Sequence, residues 1–250
     1  MRLSYTGVKP CMTAPHGQAR TAKDCGCLRP ARPLETQSMQ TLDSIAPLPD
    51  GALSSPAAAR NSAAILEVLR AHLPARGAVL EIAAGSGQHA VAFASALPDI
   101  RWTPSDPSAE ARASIAAWAR RLGSPYLRPP SALDATDETT WPDASFDAVF
   151  CANMIHISPW AATEGLMRLA GRTLRRPGGL LALYGPFIEP DQPLAPSNAA
   201  FDTSLKGRDP AWGLRDRDMV STLARTCGLA LTRRVAMPAN NLMLLFRRDV

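Results

Sequence analysis

Two carboxylates and a histidine are the residues with the clearest chemical potential, because each follows an apolar run. Glu81 ends one such run, Asp106 ends a second, and His156 lies shortly after a third. A carboxylate can accept both hydroxyl protons of a ribose diol, and an imidazole can remove a proton from a reacting group near neutral pH. These residues predict a site that binds a nucleoside and supports the transfer of a proton or a larger group.

A glycine-rich turn follows Glu81. The sequence Gly85-Ser86-Gly87-Gln88-His89-Ala90 connects the first apolar run to an alanine-rich helical pattern, which predicts a strand, a tight turn and a helix. Such a turn lets backbone approach a bound nucleoside, since side chains there would occupy the space of the ligand. The same letters satisfy the dinucleotide pattern GxGxxG/A, with Asp106 as the ribose-binding acid. The turn alone therefore leaves a nicotinamide dinucleotide open beside other adenosine-containing cofactors.

The elements that position these residues alternate between apolar runs and helical patterns, which predicts an α/β fold with a parallel sheet. Ser54-Ser55-Pro56 predicts a helix start, with a serine cap and a proline in the first turn. Residues 126–128 predict a short strand. The continuous apolar run 146–152 predicts a buried parallel strand that carries Asn153 and His156 to the carboxyl edge of the sheet, where open α/β sheets bind ligands.

A long loop and a hairpin are predicted toward the C-terminus. Residues 185–217 are polar and rich in proline, and connections of that length are commonly lids or substrate-binding loops. The apolar runs 229–237 and 242–246 are separated by Pro238-Ala239-Asn240-Asn241, which predicts a closing antiparallel hairpin. Tyr184, just before the loop, is a second candidate base. The residues expected to contact a small, partly apolar substrate are Trp160, Phe187, Asn198, Arg208 and Trp212.

Composition limits the function classes. The chain has 250 residues, 46% of them hydrophobic, which suits one folded domain over residues 51–250 after a disordered extension at 1–50 that is rich in proline, serine, threonine and arginine. The net charge of +5 is spread over scattered or paired arginines, so we expect no nucleic-acid partner. We expect no membrane span, because no apolar run is long enough for one. We expect no metal site and a cytoplasmic location, since the five cysteines form no CxxC pair. The protein is expected to be a monomer or homodimer.

From Ser54 to Arg248 the chain resembles the class I S-adenosylmethionine (SAM)-dependent methyltransferase superfamily. The resemblance rests on several motifs in the expected order, namely Glu81 to Gly87 as E-x-x-x-G-x-G, Asp106, Asp134, the strand before Asn153, Pro177-Gly178-Gly179 and the final hairpin. It implies a Rossmann-like fold with a seven-stranded, mostly parallel sheet, a C-terminal antiparallel hairpin and helices on both faces. Further motifs, among them Arg60-Asn61 and Asn153-Met154-Ile155-His156, look like a little-characterised methyltransferase-like subfamily known mainly as a domain of unknown function.

The resemblance implies SAM as the cofactor. Glu81 would face the methionine part, Asp106 would hold the ribose rather than only cap the next helix, and Asp134 would accept from the adenine amino group or else begin a polar loop. Ala83 replaces the first glycine of the superfamily motif, and an alanine is unstrained only at negative φ. The full set of expected cofactor-binding residues is Arg60, Asn61, Glu81, Ala83, Gly85, Gly87, Gln88, Asp106, Asp134 and Asn153.

The expected activity is methyl transfer from SAM to an oxygen or nitrogen of a small molecule. His156 is the first candidate for the base that removes the acceptor's proton, and Tyr184 is the second, although both residues can instead shape the pocket. Two other functions stay open from the sequence: a catalytically silent SAM-binding regulatory module and a nicotinamide-dependent oxidoreductase.

Overall fold

The computed structural model describes residues 45–122 and 124–249. Residues 1–44 of the predicted disordered extension, which include Cys11, Cys25 and Cys27, lie outside the described residues. Strand β1 (Ala46–Pro47) pairs antiparallel with β2 (Leu53–Ser54). The predicted boundary at residue 50 therefore falls after the first strand rather than before it.

The main sheet has six strands, and four of them run parallel. They are β3 (Gly77–Ile82), β4 (Ile100–Pro104), β5 (Ala148–Ala152), β6 (Leu180–Gly185), β7 (Leu229–Met237) and β8 (Asn241–Arg248), in the order β4-β3-β5-β6-β8-β7. Strand β8 is antiparallel to both β6 and β7, as predicted for the closing hairpin. The inner parallel strands β3, β5 and β6 are buried almost throughout, which agrees with their continuous apolar runs, whereas β4 alternates between buried and more exposed residues.

The expected seventh strand is present only as two isolated bridges. Leu127 pairs in parallel with Trp102 of β4, and Ser131 pairs in parallel with Ser105. Prolines at positions 125, 129 and 130 remove backbone N–H donors on both sides of Leu127, so a continuous ladder does not form. The strand predicted at 126–128 is thus reduced to bridges beside β4, and the sheet has six continuous strands rather than the expected seven.

Helices cover both faces of the sheet. They are α1 (Pro56–His72), α2 (Gln88–Ala96), α3 (Ala109–Leu122), α4 (Trp160–Thr173), α5 (Pro196–Arg208) and α6 (Arg217–Thr226). Alternate strand residues point to opposite faces, so Val79 and Phe150 pack with residues of α1 and α2, whereas Leu80 and Val149 pack with residues of α4 and α6. The cap of α1 is as predicted, because the Ser55 hydroxyl accepts a hydrogen bond from the Ala58 amide.

The predicted loop 185–217 contains helix α5, which the sequence analysis did not anticipate. Its buried residues are Asn198, Phe201 and Leu205, and the two apolar ones pack with Leu214 in a small separate cluster. In the part of the chain that is described, no helix is both long and apolar enough to cross a membrane. The same residues contain no group of three or more histidine, cysteine, aspartate or glutamate side chains that could hold a metal ion.

Close packing of α4 against the loop before Asp137 gives a stability prediction. A Cβ added at Gly165 would lie 1.9 Å from the carbonyl oxygen of Ala135, so Gly165→Ala should lower the free energy of unfolding by about 3 kcal/mol. Gly207→Ala in α5 is the matched control, since a Cβ there meets nothing within 4 Å and alanine favours helix. Urea unfolding of both variants checks the contrast, and equal effects would contradict it.

Candidate functional site

The loops that follow β3 and β4 are tied together at the carboxyl edge of the sheet. The Ser105 amide donates to the Glu81 carbonyl, and the Ala84 amide donates to the Ser105 carbonyl. The Gly85 amide donates to Oδ2 of Asp106 over 3.0 Å. Glu81 and Asp106 therefore lie on the same side of the molecule, as the parallel pairing of β3 with β4 requires.

The two glycines of the turn have different surroundings. Gly85 has φ 55°, and a Cβ added there would meet nothing within 4 Å, so this position faces open space. Gly87 has φ 85° and precedes α2, but a Cβ there would lie 2.8 Å from the Cα of Ile115 in α3. Gly85 thus leaves room for a ligand, whereas Gly87 is needed for the packing of α2 against α3.

Ala83 adopts a conformation that glycine normally takes. Its φ is 53°, although alanine is unstrained only at negative φ. The backbone at this position therefore has a left-handed form that glycine adopts readily, and the alanine is strained in it.

Glu81 lies at the predicted place, but its carboxyl group is shielded. The side chain is 2% exposed, and Oε2 accepts a hydrogen bond of 2.6 Å from the Trp102 indole. Burial raises the pKa of Glu81 to about 8; the indole bond opposes this shift, and the charge of Asp106 adds to it. The carboxyl group is thus mostly protonated at neutral pH and is directed to Trp102, and its expected contact with the methionine part of SAM stays a prediction.

Asp106 is buried and holds two loops with its two oxygens. Besides the bond from Gly85, Oδ1 accepts a hydrogen bond of 2.9 Å from the Ser108 amide. The Ser108 hydroxyl in turn accepts from the Ala111 amide in the first turn of α3. Asp106 therefore supports the start of α3 indirectly, because it holds Ser108, whose hydroxyl binds an amide in the first turn of the helix. Each Asp106 oxygen still has capacity for one further donor.

Gln88 and Asn61 bind other side chains and backbone near the turn. Gln88 Oε1 accepts from the Ser55 amide and from the Ser86 hydroxyl, so it fastens the start of α1 to the glycine turn. Asn61 Oδ1 lies 2.7 Å from Nε2 of His89, and burial lowers the pKa of that histidine to about 4. A neutral His89 therefore donates to Asn61.

Tyr184 joins this polar group from the end of β6. Burial raises the pKa of its hydroxyl, against hydrogen bonds with Asn61 and Asn241 and the positive charge of Arg60. The hydroxyl is therefore protonated at neutral pH and suits hydrogen bonding better than proton removal. Arg60 itself is exposed at the start of α1.

His156 is enclosed and neutral. It is 0% exposed, its Nδ1 accepts a hydrogen bond from the Arg215 amide, and its ring contacts Phe187 edge to face at 4.9 Å between centroids. Burial lowers the pKa of His156 to about 3, and the charge of Arg215 lowers it further. Because Nδ1 accepts, Nε2 carries the proton, and this buried N–H has no partner. In this geometry His156 is a buried hydrogen-bond donor that packs against Phe187, and its expected role as the base stays a prediction.

The residues on either side of His156 also position it. Asn153 has φ 61°. Its amide donates a hydrogen bond to the Tyr184 carbonyl, and its carbonyl accepts one from the His156 amide. A Cβ added at Gly185 would lie 2.5 Å from Nε2 of His156, so only glycine fits there.

The Asp134 carboxylate accepts hydrogen bonds from the amide and the hydroxyl of Thr136. Asp134 thus begins the polar loop, which is one of its two predicted roles.

The five expected substrate residues divide into two groups. Phe187 and Asn198 line a cavity of about 220 Å³, hereafter the cleft, between residues 187–198 and the β7–β8 turn at 236–242. The other three do not line this cleft: Trp160 lies beneath the Arg215 guanidinium, Trp212 packs on the α5 cluster, and Arg208 is exposed at the end of α5.

Sequence reasoning missed other residues of this region. Arg234, Asn240 and Asn241 also line the cleft, although their sequence pattern indicates only a strand and a turn. Arg215 lies in the predicted loop 185–217 without an assigned role, yet its guanidinium donates to the carbonyls of Ile155 and Ser158 and so holds the segment around His156. Only the folded chain brings these residues to one place.

Comparison with known proteins agrees with this architecture. The model of a family described as a protein of unknown function (DUF938) matches residues 52–248, and the chain belongs to that family. The methyltransferase CalO1 of calicheamicin biosynthesis, solved with S-adenosylhomocysteine (SAH) bound, is similar at 18% identity and TM-score 0.61, over 76% of this chain and 54% of that one.

Two further solved structures have the same fold. An O-methyltransferase family 2 protein from Planctomyces limnophilus in complex with apigenin has 19% identity and TM-score 0.65, over 77% of this chain and 58% of that one. YcgJ from Bacillus subtilis has 16% identity and TM-score 0.59, over 77% and 99%. The chain thus spans little more than half of CalO1 and the Planctomyces protein. The expected class I SAM-dependent methyltransferase fold is confirmed.

Relief of the strain at Ala83 gives one prediction. Ala83→Gly should raise the free energy of unfolding by about 0.5–1 kcal/mol, because glycine tolerates positive φ but loses more backbone entropy on folding. Ala239→Gly, at φ 57°, should behave alike. Ala78→Gly in β3 is the control and should destabilise. Denaturant unfolding measures all three, and a loss of stability in Ala83→Gly equal to that in Ala78→Gly would count against the strain.

The raised pKa of Glu81 gives a second prediction. The folded state keeps a proton between about pH 4.5 and pH 8 that the unfolded chain releases, so this group makes the protein less stable as pH rises through that window. Glu81→Gln removes the titration and can still accept from Trp102. Its stability relative to wild type should therefore increase between pH 5 and 8, by at most about 1.4 kcal/mol per pH unit. Glu67→Gln, on the exposed side of α1, is the control. Parallel pH profiles for Glu81→Gln and wild type would refute this assignment.

Proposed function

We propose that this protein is a SAM-dependent methyltransferase that acts on an oxygen or nitrogen of a small molecule. The observation that carries the proposal is the shared edge formed by the Gly85 turn and Asp106. The turn faces open space at Gly85, and Asp106 stands beside it with acceptor capacity remaining on both oxygens. These residues fit an adenosine whose ribose hydroxyls donate to Asp106.

The roles of the other residues follow from their contacts. Gln88 and Asn61 keep α1 in place over the turn, and Asp134 and Asn153 are candidates for contacts to the adenosine at the ends of neighbouring strands. Glu81 supports the turn from the protein interior, where its carboxyl group accepts a hydrogen bond from the Trp102 indole. Of the ten expected cofactor residues, Gly85 and Asp106 are therefore proposed as direct contacts with the strongest support, and Gln88 and Gly87 as residues that shape the turn.

SAM, when bound, supplies a methyl group on a sulfonium that leaves as a neutral thioether. The protein then has mainly to align the acceptor and exclude water. His156 and Tyr184 stand at the ends of β5 and β6 near Asn153, and we assign both to positioning through their hydrogen-bond donors. The acceptor would lie in the cleft, where Phe187 connects it to the His156 ring.

A catalytically silent SAM-binding module is the second candidate function. It is favoured by the burial of His156 and Tyr184, which leaves neither candidate base exposed. A nicotinamide-dependent oxidoreductase is less consistent with the fold, because the sheet closes with the antiparallel β7–β8 hairpin that the methyltransferase resemblance implies.

Binding and transfer can be measured separately. Calorimetry with SAM, SAH and NADH should detect SAM and SAH only. Asp106→Asn should weaken SAH binding by about 10-fold or more, because an amide nitrogen replaces one acceptor oxygen. Asp99→Asn, in the exposed turn before β4, should not change it. Tight binding of NADH, or SAH affinity unchanged in Asp106→Asn, would argue against the assigned site.

Transfer is tested with SAM carrying a labelled methyl group, incubated with the protein and a cell extract and followed by mass spectrometry. A labelled small molecule should form, and His156→Ala should lose turnover while it retains SAH binding. SAM binding without any labelled product would favour the silent module. Unchanged turnover in His156→Ala would remove that residue from the mechanism.

A further inference from the structure

The cleft contains one buried polar atom without a partner. Asn198, at the start of α5, is 3% exposed, and its Nδ2 donates to the Asn240 carbonyl over 2.9 Å. Since a carbonyl can only accept, this bond fixes the orientation of the amide and identifies the remaining atom as the acceptor Oδ1. That oxygen is buried and has no hydrogen-bond partner. An unsatisfied buried acceptor is costly, so it marks a place where a donor is expected.

The charges that line the cleft are paired with each other. Among the described residues, Glu189 and Arg234 are its charged lining residues. Glu189 accepts from Arg234 through both carboxylate oxygens and from Arg217 through Oε1. Asp191 adds a further negative charge beside Arg217. This wall offers little to attract a carboxylate or a phosphate.

The uncharged lining combines apolar side chains with the polar Gln192, Asn198, Asn240 and Asn241, and the space is small. Phe187, Leu194 and Met237 contribute most of the large apolar side chains. A volume of about 220 Å³ is below the range of roughly 300–1,000 Å³ found for drug-sized ligands. The cleft therefore suits a molecule of about one ring.

We propose that the cleft binds an uncharged small molecule with a hydroxyl or N–H group, and that Oδ1 of Asn198 accepts the hydrogen bond from that group. The bound molecule reaches this oxygen after a small outward movement of the cleft wall. The inference rests on the proposed function only in taking this molecule to be the methyl acceptor. Asn198 then selects the acceptor by a hydrogen bond, and the paired charges disfavour anions.

Phenol, anisole and benzoate are matched probes for this site. Phenol has the donor, anisole has the same ring without the donor, and benzoate carries a negative charge. NMR titrations of the full ¹⁵N-labelled chain should give a phenol affinity about 10-fold higher than that of anisole, since only phenol satisfies the buried oxygen. Benzoate should bind more weakly than phenol. The shifts should centre on the Asn198 side-chain amide, Asn240 and Asn241.

Two variants locate the selectivity. Asn198→Ala should reduce the ratio of phenol to anisole affinity to about 1, whereas Thr203→Ala, exposed on the same helix, should preserve it. If Asn198→Ala does not fold, the comparison of probes on the wild-type chain still decides. Equal affinities for phenol and anisole, preferred binding of benzoate, or shifts outside the cleft would overturn the proposal.

SAH calorimetry on the same samples separates the two proposals. SAH binding without selectivity for phenol rejects the role of Asn198 and leaves the methyltransferase proposal standing. Selectivity for phenol without SAH binding supports the ligand site and rejects methyl transfer as its purpose. Selectivity for phenol that persists when SAH is bound supports both.

Discussion

The Asp106 carboxylate joins the two loops on which the candidate site depends. One oxygen binds the Gly85 amide and the other binds the Ser108 amide, so the glycine turn after β3 is held against the start of α3. The close approach of Gly87 to Ile115 fixes the same turn from its other side. A turn held in this way can keep its open face at Gly85 without the help of a ligand, which lowers the entropic cost of binding.

Burial determines the chemistry available around this turn. Glu81, His89, His156 and Tyr184 all have pKa values shifted toward the neutral form, chiefly because of desolvation. The polar groups between the glycine turn and the end of β6 therefore act by donating and accepting hydrogen bonds. Such an environment agrees with a reaction in which alignment matters more than proton removal.

The segment between β6 and α6 forms one wall of the cleft. Helix α5 brings Asn198 to the β7–β8 turn, and Arg215 fastens the same segment to the backbone around His156. The cleft thus lies between the segment that follows β6 and the turn of the closing hairpin, at the carboxyl end of β6. Arg234 and Glu189 form its charged wall, and their mutual pairing leaves hydrogen bonding and shape to determine what enters.

The sequence by itself determined the sheet, its closing hairpin and the edge that carries Gly85 and Asp106. Hydrophobic periodicity, glycine-rich turns and carboxylates at the ends of apolar runs are local signals that can be recognised in a sequence. The chain pattern also located His156 and Tyr184 at strand ends. The tertiary structure alone decided what these groups can do. Burial neutralised Glu81 and His156, three prolines reduced the seventh strand to two bridges, and Ala83 adopted a positive φ. The cleft likewise depends on residues more than forty positions apart, and burial and contacts of that kind leave no local trace in a sequence.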